Sequence, residues 1–135
     1  MAKVDVSRLW SLNYRLIMSV ITSVSGEISG LGVEVKELFL IASLDEHPHP
    51  AELAAELCMP KPTVTAMVKR LEAGGFVKRE IDASDLRRHR LSLTAAGRKA
   101  MTRGMAILSG AFGERLSRLS ATEQAQLQAL LEKLS

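Results

Sequence analysis

The stretch Pro50–Gly97 limits the possible folds more than any other part of the chain. Pro50–Leu57 has the spacing of a short helix, Cys58-Met59-Pro60 of a tight turn, and Lys61–Ala73 of a second helix. Leu53, Leu57, Met59, Val64, Met67, Val68 and Leu71 fall where two short, steeply crossing helices bury them, and Ala54 is small where the helices come closest. The opposite face of the second helix carries Thr63, Thr65, Ala66, Lys69 and Arg70. An apolar inner face with a small, polar and cationic outer face suits a helix that enters a DNA major groove. Gly74-Gly75 ends this helix. Phe76–Ile81 and His89–Leu93 read as two strands around the polar turn Asp82–Arg88, with Leu91 and Leu93 on one face.

Helices flank this unit on both sides. Leu9, Leu12, Leu16, Val20, Val24 and Ile28 recur at three- and four-residue spacing, which predicts a helix over residues 5–29 that Gly30-Leu31-Gly32 stops. A second helix is expected over Val33–Leu44, with Leu38, Ile41 and Leu44 inward. The prolines of Asp45–Pro50 then break the chain and place it to pair as a very short strand with the later hairpin. Thr94 caps a long helix whose Met101, Met105, Leu108, Phe112, Leu116 and Leu119 follow a near-heptad pattern. Ser120–Glu123 has the spacing of a capping box and starts a last helix with Leu127, Leu130, Leu131 and Leu134 on one side. One domain of this size leaves such flanking stripes uncovered, so burial against a second copy is expected, with an intramolecular helical layer as the alternative.

Charge localises the partner. Residues 61–90 hold eight cations against four acids, +4, while the whole chain carries +3. A basic footprint on a near-neutral body points to a polyanion at one place, although a charge run by itself is also a solvated face. Aromatics are only 4% of residues, so the core is helical and built from Ala, Leu, Val and Met. Cys58 is the one cysteine, which rules out an intrachain disulfide and suits a reducing compartment. The start of the chain has no signal-type apolar run, and Phe39–Ala42 is too short to span a bilayer. A cytoplasmic protein is expected, with no membrane partner.

The run Asp82-Ala-Ser-Asp85-Leu-Arg87-Arg-His-Arg-Leu91-Ser-Leu93-Thr94-Ala-Ala-Gly97 resembles the wing of the MarR-type winged-helix transcriptional regulators. Pro62–Thr65 and Leu71–Arg79 resemble that family's recognition helix and its exit into the wing. The resemblance covers essentially the whole chain, 1–135, as one mainly α domain with a small β-wing. It implies a winged helix-turn-helix core at 33–97 and dimerisation helices at 1–32 and 98–135. It also implies a homodimeric repressor that binds a pseudo-palindromic DNA duplex and is released by a small aromatic or phenolic effector. A winged-helix protein-interaction module without DNA binding is the alternative. The sequence departs from the pattern in three places. Cys58 replaces the usual turn glycine, at a cost of roughly 1–2 kcal/mol if the backbone there is left-handed. Pro60 and Lys61 replace the usual polar cap, with Pro62 partly compensating by its fixed φ.

On this reading Arg87 at the wing tip enters a minor groove, and Asp85 pairs with an arginine to shape the wing, with Arg88 a further cation beside it. Thr63, Thr65 and Ala66 are candidates for base-edge contacts, Pro62 for an apolar one, and Lys61, Lys69 and Arg70 for phosphates. Lys69 and Arg70 point in different directions, so one of them reaches DNA better. The bland reading of each is ordinary exposed surface. Trp10 and Tyr14 are candidates to line an effector pocket, with core packing or dimer contact as the alternative. Cys58, between Leu57 and Met59, reads as an inert core residue rather than a redox sensor. His47 and His49 between prolines do not make a metal site. Glu34 with Glu37, and Glu52 with Glu56, read as exposed helix charges. No catalytic constellation or cofactor motif is present in the sequence, so neither enzyme activity nor a cofactor is expected.

Overall fold

The computed structural model describes residues 3–135. In chain order it contains α1 (Val6–Ser29), α2 (Val35–Ser43), α3 (Pro50–Glu56), α4 (Lys61–Ala73), β1 (Val77–Ile81), β2 (His89–Leu93), α5 (Ala95–Leu116) and α6 (Ala121–Leu134). This is the mainly α architecture with a small antiparallel wing that the sequence predicts. The expected ends hold to within two residues. Leu119 is the exception among the near-heptad positions, lying in the turn after α5 rather than in the helix.

Ile28, Val33, Leu38, Leu40, Ile41, Leu44, Leu53, Val64, Val68, Leu71, Val77 and Leu91 are almost fully buried in one core shared by α1, α2, the α3–α4 pair and the wing base. Leu57 and Met59 pack on this core only partly buried, while Ala54 is buried as the α3–α4 crossing requires. Gly104 lets α5 lie on α2, because a methyl there would meet the Leu38 side chain. The first half of α1 takes no part in this core. Leu9, Trp10, Leu12, Tyr14, Ile17 and Met18 are all exposed, as are Leu130, Leu131 and Leu134 on α6.

The helix ends follow local chemistry. Asp5 accepts from the Arg8 N–H, Thr94 from the Gly97 N–H, and Ser120 from the Glu123 N–H. Glu123 returns the bond to the Ser120 N–H at 2.9 Å, completing the expected capping box, and these bonds hold its carboxyl below the ordinary range. Pro60 stands at the α4 N-cap with no side-chain bond, and its carbonyl accepts the first helical N–H groups instead.

Two helices end in the same Schellman geometry. After α4, the Gly75 N–H bonds to Glu72 O and the Phe76 N–H to Leu71 O, with Gly75 at φ 79°. After α3, the Cys58 N–H bonds to Ala55 O and the Met59 N–H to Ala54 O, with Cys58 at φ 53°. Cys58 is exposed, not an inert core residue: the left-handed turn aims its side chain at solvent. Replacing Cys58 with glycine removes the β-carbon strain but loosens the unfolded chain. The expected net gain is about 0.5–1 kcal/mol. Thermal or urea unfolding of Cys58→Gly measures it, and a loss of stability would contradict the strain.

Candidate nucleic-acid interface

Packing of α4 decides which of its side chains are free. Val64, Met67, Val68 and Leu71 face the core, and the other seven residues from Lys61 to Arg70 are exposed. The exposed residues divide by helical angle. Pro62, Ala66 and Lys69 lie opposite the buried stripe, with Thr65 on one shoulder beside them and Lys61 at the helix start. Thr63 and Arg70 lie on the flank and line a groove with Val35, Glu37 and Met67.

Arg70 is the first adjustment to the expected site. Its Nε is 3.5 Å from Oε2 of Glu37, so its charge is turned toward α2 rather than outward. Glu37 is not the exposed charge that its spacing suggested. It is only 3% exposed, and it accepts the Glu34 N–H at 2.8 Å as part of the α2 cap. Lys69 is thus the cation of this turn that faces away from the body.

The wing is a two-stranded ribbon paired from Val77↔Leu93 to Ile81↔His89. Val77 and Leu91 are buried at its base and the tip projects. At the tip, the Asp85 carboxylate accepts the Arg87 N–H at 3.0 Å and lies 3.5 Å from Arg87 Nε. This is an Asx-type turn that shapes the loop and leaves the Arg87 side chain 93% exposed. Arg88 differs: its Nη2 is 3.5 Å from Oε1 of Glu52, so it straps the wing back to α3. Arg79 is tied to Glu72 at 2.9 Å and Lys78 to Glu80 at 3.2 Å. Among the described residues, Lys61, Lys69 and Arg90 of this region carry no ion pair. Arg90 is not among the expected site residues, although alternation along β2 puts Leu91 and Leu93 inward and therefore Arg90 outward.

At the base of the tip, the Asp82 carboxylate accepts the Ser84 hydroxyl at 2.6 Å and the Ser84 N–H at 2.8 Å. These bonds first, then the charges of His49 and Arg88, hold its carboxyl below the ordinary range. His49 Nε2 stands 3.2 Å from Asp82 Oδ2, and His49 Nδ1 3.1 Å from the His89 carbonyl. The expected short strand before α3 is reduced to one ladder-type bond, the Leu91 N–H to Pro48 O at 2.8 Å, because Pro48 and Pro50 have no N–H to give. Nothing in the sequence marked His49 as a partner of the wing, since its contacts lie 33 and 40 residues away.

Trp10 and Tyr14 are 70% and 58% exposed, so neither packs in the core of this chain. An apolar cavity of about 250 Å³ does lie between α1, α2 and α5, lined by Ile17, Val20, Ile21, Phe39, Leu108 and Phe112, and neither aromatic reaches it. Among the described residues no cluster of three or more His, Cys, Asp or Glu is gathered as for a metal ion, and no helix is long and apolar enough to cross a membrane.

A recognition-type helix and a projecting cationic wing beside it define a winged helix-turn-helix protein. The MarR family profile matches residues 34–89. The HTH-type transcriptional repressor Rv2887 of Mycobacterium tuberculosis is 31% identical over 99% of this chain and 98% of its own. Transcriptional regulator HosA of Escherichia coli is 40% identical over 55% of each chain. The crystal structure of Rv2887 in complex with DNA superposes with a TM-score of 0.77 at 28% identity, covering 98% of this chain and 99% of that one. The same Mycobacterium tuberculosis protein in complex with salicylic acid gives 0.76 at 29%, covering 98% of each. The chain belongs to the MarR family of transcriptional regulators.

The Asp82 bonds make a test of acid stability. A carboxyl lowered by folding contributes stability above its ordinary value of 3.8, and that contribution is lost as pH falls through the folded-state value. The melting-temperature gap between the parent and Asp82→Asn should therefore be full near neutrality and close as pH drops below 3.8. A gap that stays constant into acid would show that the charge on Asp82 is not what stabilises the tip.

Proposed function

We propose that this protein is a homodimeric, sequence-specific DNA-binding repressor whose hold on DNA is relieved by a small aromatic acid or phenol. The observation that carries the reading is the pairing of an α4 face that is free of ion pairs, Pro62, Thr65, Ala66 and Lys69, with an Arg87 side chain held out at the tip of the neighbouring wing. Thr65 and Ala66 suit base edges and thymine methyls, Pro62 an apolar contact, and Lys61 and Lys69 phosphates. Thr63 and Arg70 contribute from the flank, and Asp85 shapes the loop that presents Arg87. Arg88 and Arg90 add positive potential along the ribbon. One relative, Rv2887, solved both with DNA and with salicylic acid, supports both halves of the reading.

Residues 33–97 form the DNA-reading unit on this proposal, and 1–32 with 98–135 the dimerisation helices. The exposed apolar side chains of α1 and α6 are the surface that a second copy covers, and Trp10 and Tyr14 belong to that contact. The effector takes the apolar cavity under α1, α2 and α5, next to the joint between the two parts. In such a dimer the two α4 helices enter successive major grooves about 34 Å apart, and the wings lie over the flanking minor grooves.

Two experiments follow. Light scattering should return a dimer for the full chain, and removal of residues 120–135 should give monomers or aggregates. A monodisperse full-length monomer would remove the basis for paired half-sites. Binding to duplexes selected from a random pool should weaken steeply with salt. Arg87→Ala should weaken binding to every site, most where A·T-rich flanks narrow the groove, and make the salt dependence shallower. Thr65→Ala should change preference at one base pair per half-site, by about 1–3 kcal/mol, with the salt slope intact. An interaction module without DNA binding would show almost no affinity for any duplex.

A further inference from the structure

We propose that His49 is the positioning residue of the wing: from the N-cap of α3 its imidazole spans the His89 carbonyl and the Asp82 carboxylate, fixing the angle between the wing and α4. The inference rests on the DNA-binding reading for its consequence, and on the geometry alone for the latch itself. His49 is the N-cap residue of α3 yet makes no side-chain bond to that helix. Its ring is instead committed to the wing, at 3.1 Å from the His89 carbonyl and 3.2 Å from Asp82 Oδ2. The contact is sheltered, with the His49 side chain 13% and the Asp82 side chain 8% exposed.

The place of this contact matters. Ile81↔His89 is the last pair of the ribbon, so the latch grips the wing where the ladder ends and the tip begins. A two-stranded ribbon is marginal by itself and pivots about its base unless its far end is held. Here the ribbon is tied back in three places: by His49, by the Leu91 N–H to Pro48 O at 2.8 Å, and by Arg88 Nη2 at 3.5 Å from Glu52. The Arg88–Glu52 pair is half exposed and weak. The backbone bond acts nearer the base. The imidazole is the sheltered link that also orients the tip, because Asp82 is bonded to Ser84 inside the loop that carries Arg87. Since α3 packs on α4 through Leu53, Ala54 and Val64, tying the tip to α3 sets Arg87 relative to the recognition face. The ring faces an acceptor from each nitrogen, and since a carbonyl can only accept, the His89 bond draws on the Nδ1–H.

The test uses the full chain and selected duplexes. In the free protein, amide exchange of residues 81–91 should accelerate at least about tenfold in His49→Ala, with the α4 amides unchanged. His49→Leu, which fills the space without a donor, should behave the same and serves if the alanine variant does not fold. His49→Gln, which keeps one donor, should restore part of the protection. On DNA, His49→Ala should lower affinity roughly tenfold, the size of one lost charge-assisted contact. Adding Arg87→Ala should then have little further effect, while discrimination by Thr65 persists. Unchanged wing exchange in both the alanine and leucine variants, or a penalty that simply multiplies with that of Arg87→Ala, would overturn the proposal. A parent chain that binds no duplex would instead defeat the DNA-binding reading, and the exchange result would still decide the latch.

Discussion

The fold turns on one close approach, where the start of α5 rests against the chain leaving α4. The Thr94 N–H donates to Phe76 O at 3.1 Å, its hydroxyl donates to Gly75 O at 2.6 Å, and the Thr94 hydroxyl oxygen accepts the Gly97 N–H at 3.0 Å. A β-carbon at Gly97 would overlap the Phe76 carbonyl, so only glycine admits this packing. One hydroxyl thus joins three elements: the exit of the recognition helix, the closed end of the wing and the first turn of α5. α4 and the wing can be small and still be held in a fixed relation to the long helix α5.

Ion pairs around this junction sort the cations more than they stabilise it. Exposed pairs contribute little to stability. Yet by engaging Arg70, Arg79 and Arg88 with Glu37, Glu72 and Glu52 they leave a particular subset, Lys61, Lys69, Arg87 and Arg90, turned outward. A basic stretch that looks uniform in sequence becomes a directed surface in the fold. The two Schellman ends make a related point about strain. Gly75 and Cys58 occupy the same left-handed position, one at no steric cost and one with a β-carbon to accommodate. The turn between α3 and α4 keeps its geometry because packing on both sides dictates it.

Much of this was legible in the residues themselves. Periodicity placed every helix, since a buried stripe needs a repeat of three and four. Gly-Gly after Ala73, Thr94 before the long helix and Ser120 with Glu123 marked boundaries through chemistry that acts within four residues. The motif from Asp82 to Gly97 named the wing and pointed to Arg87, whose side chain stands open to solvent at the tip. Those features are local, and local physics specifies them.

Tertiary structure decided what depends on neighbours distant in sequence. Glu37 is buried although its spacing reads as surface, and its carboxylate draws Arg70 toward α2. Arg88 faces α3 because the ribbon folds back. Cys58 is exposed because its backbone is left-handed, whatever its apolar neighbours suggest. Trp10 and Tyr14 stay outside the core because α5 packs on the other half of α1. His49 meets Asp82 and His89 across 33 and 40 residues, a contact that only the crossing of α3 and the wing creates. Sequence by itself determined the helices, their boundaries and the family's motif. The fold alone decided which charged side chains are spent on one another and which are left to face a partner.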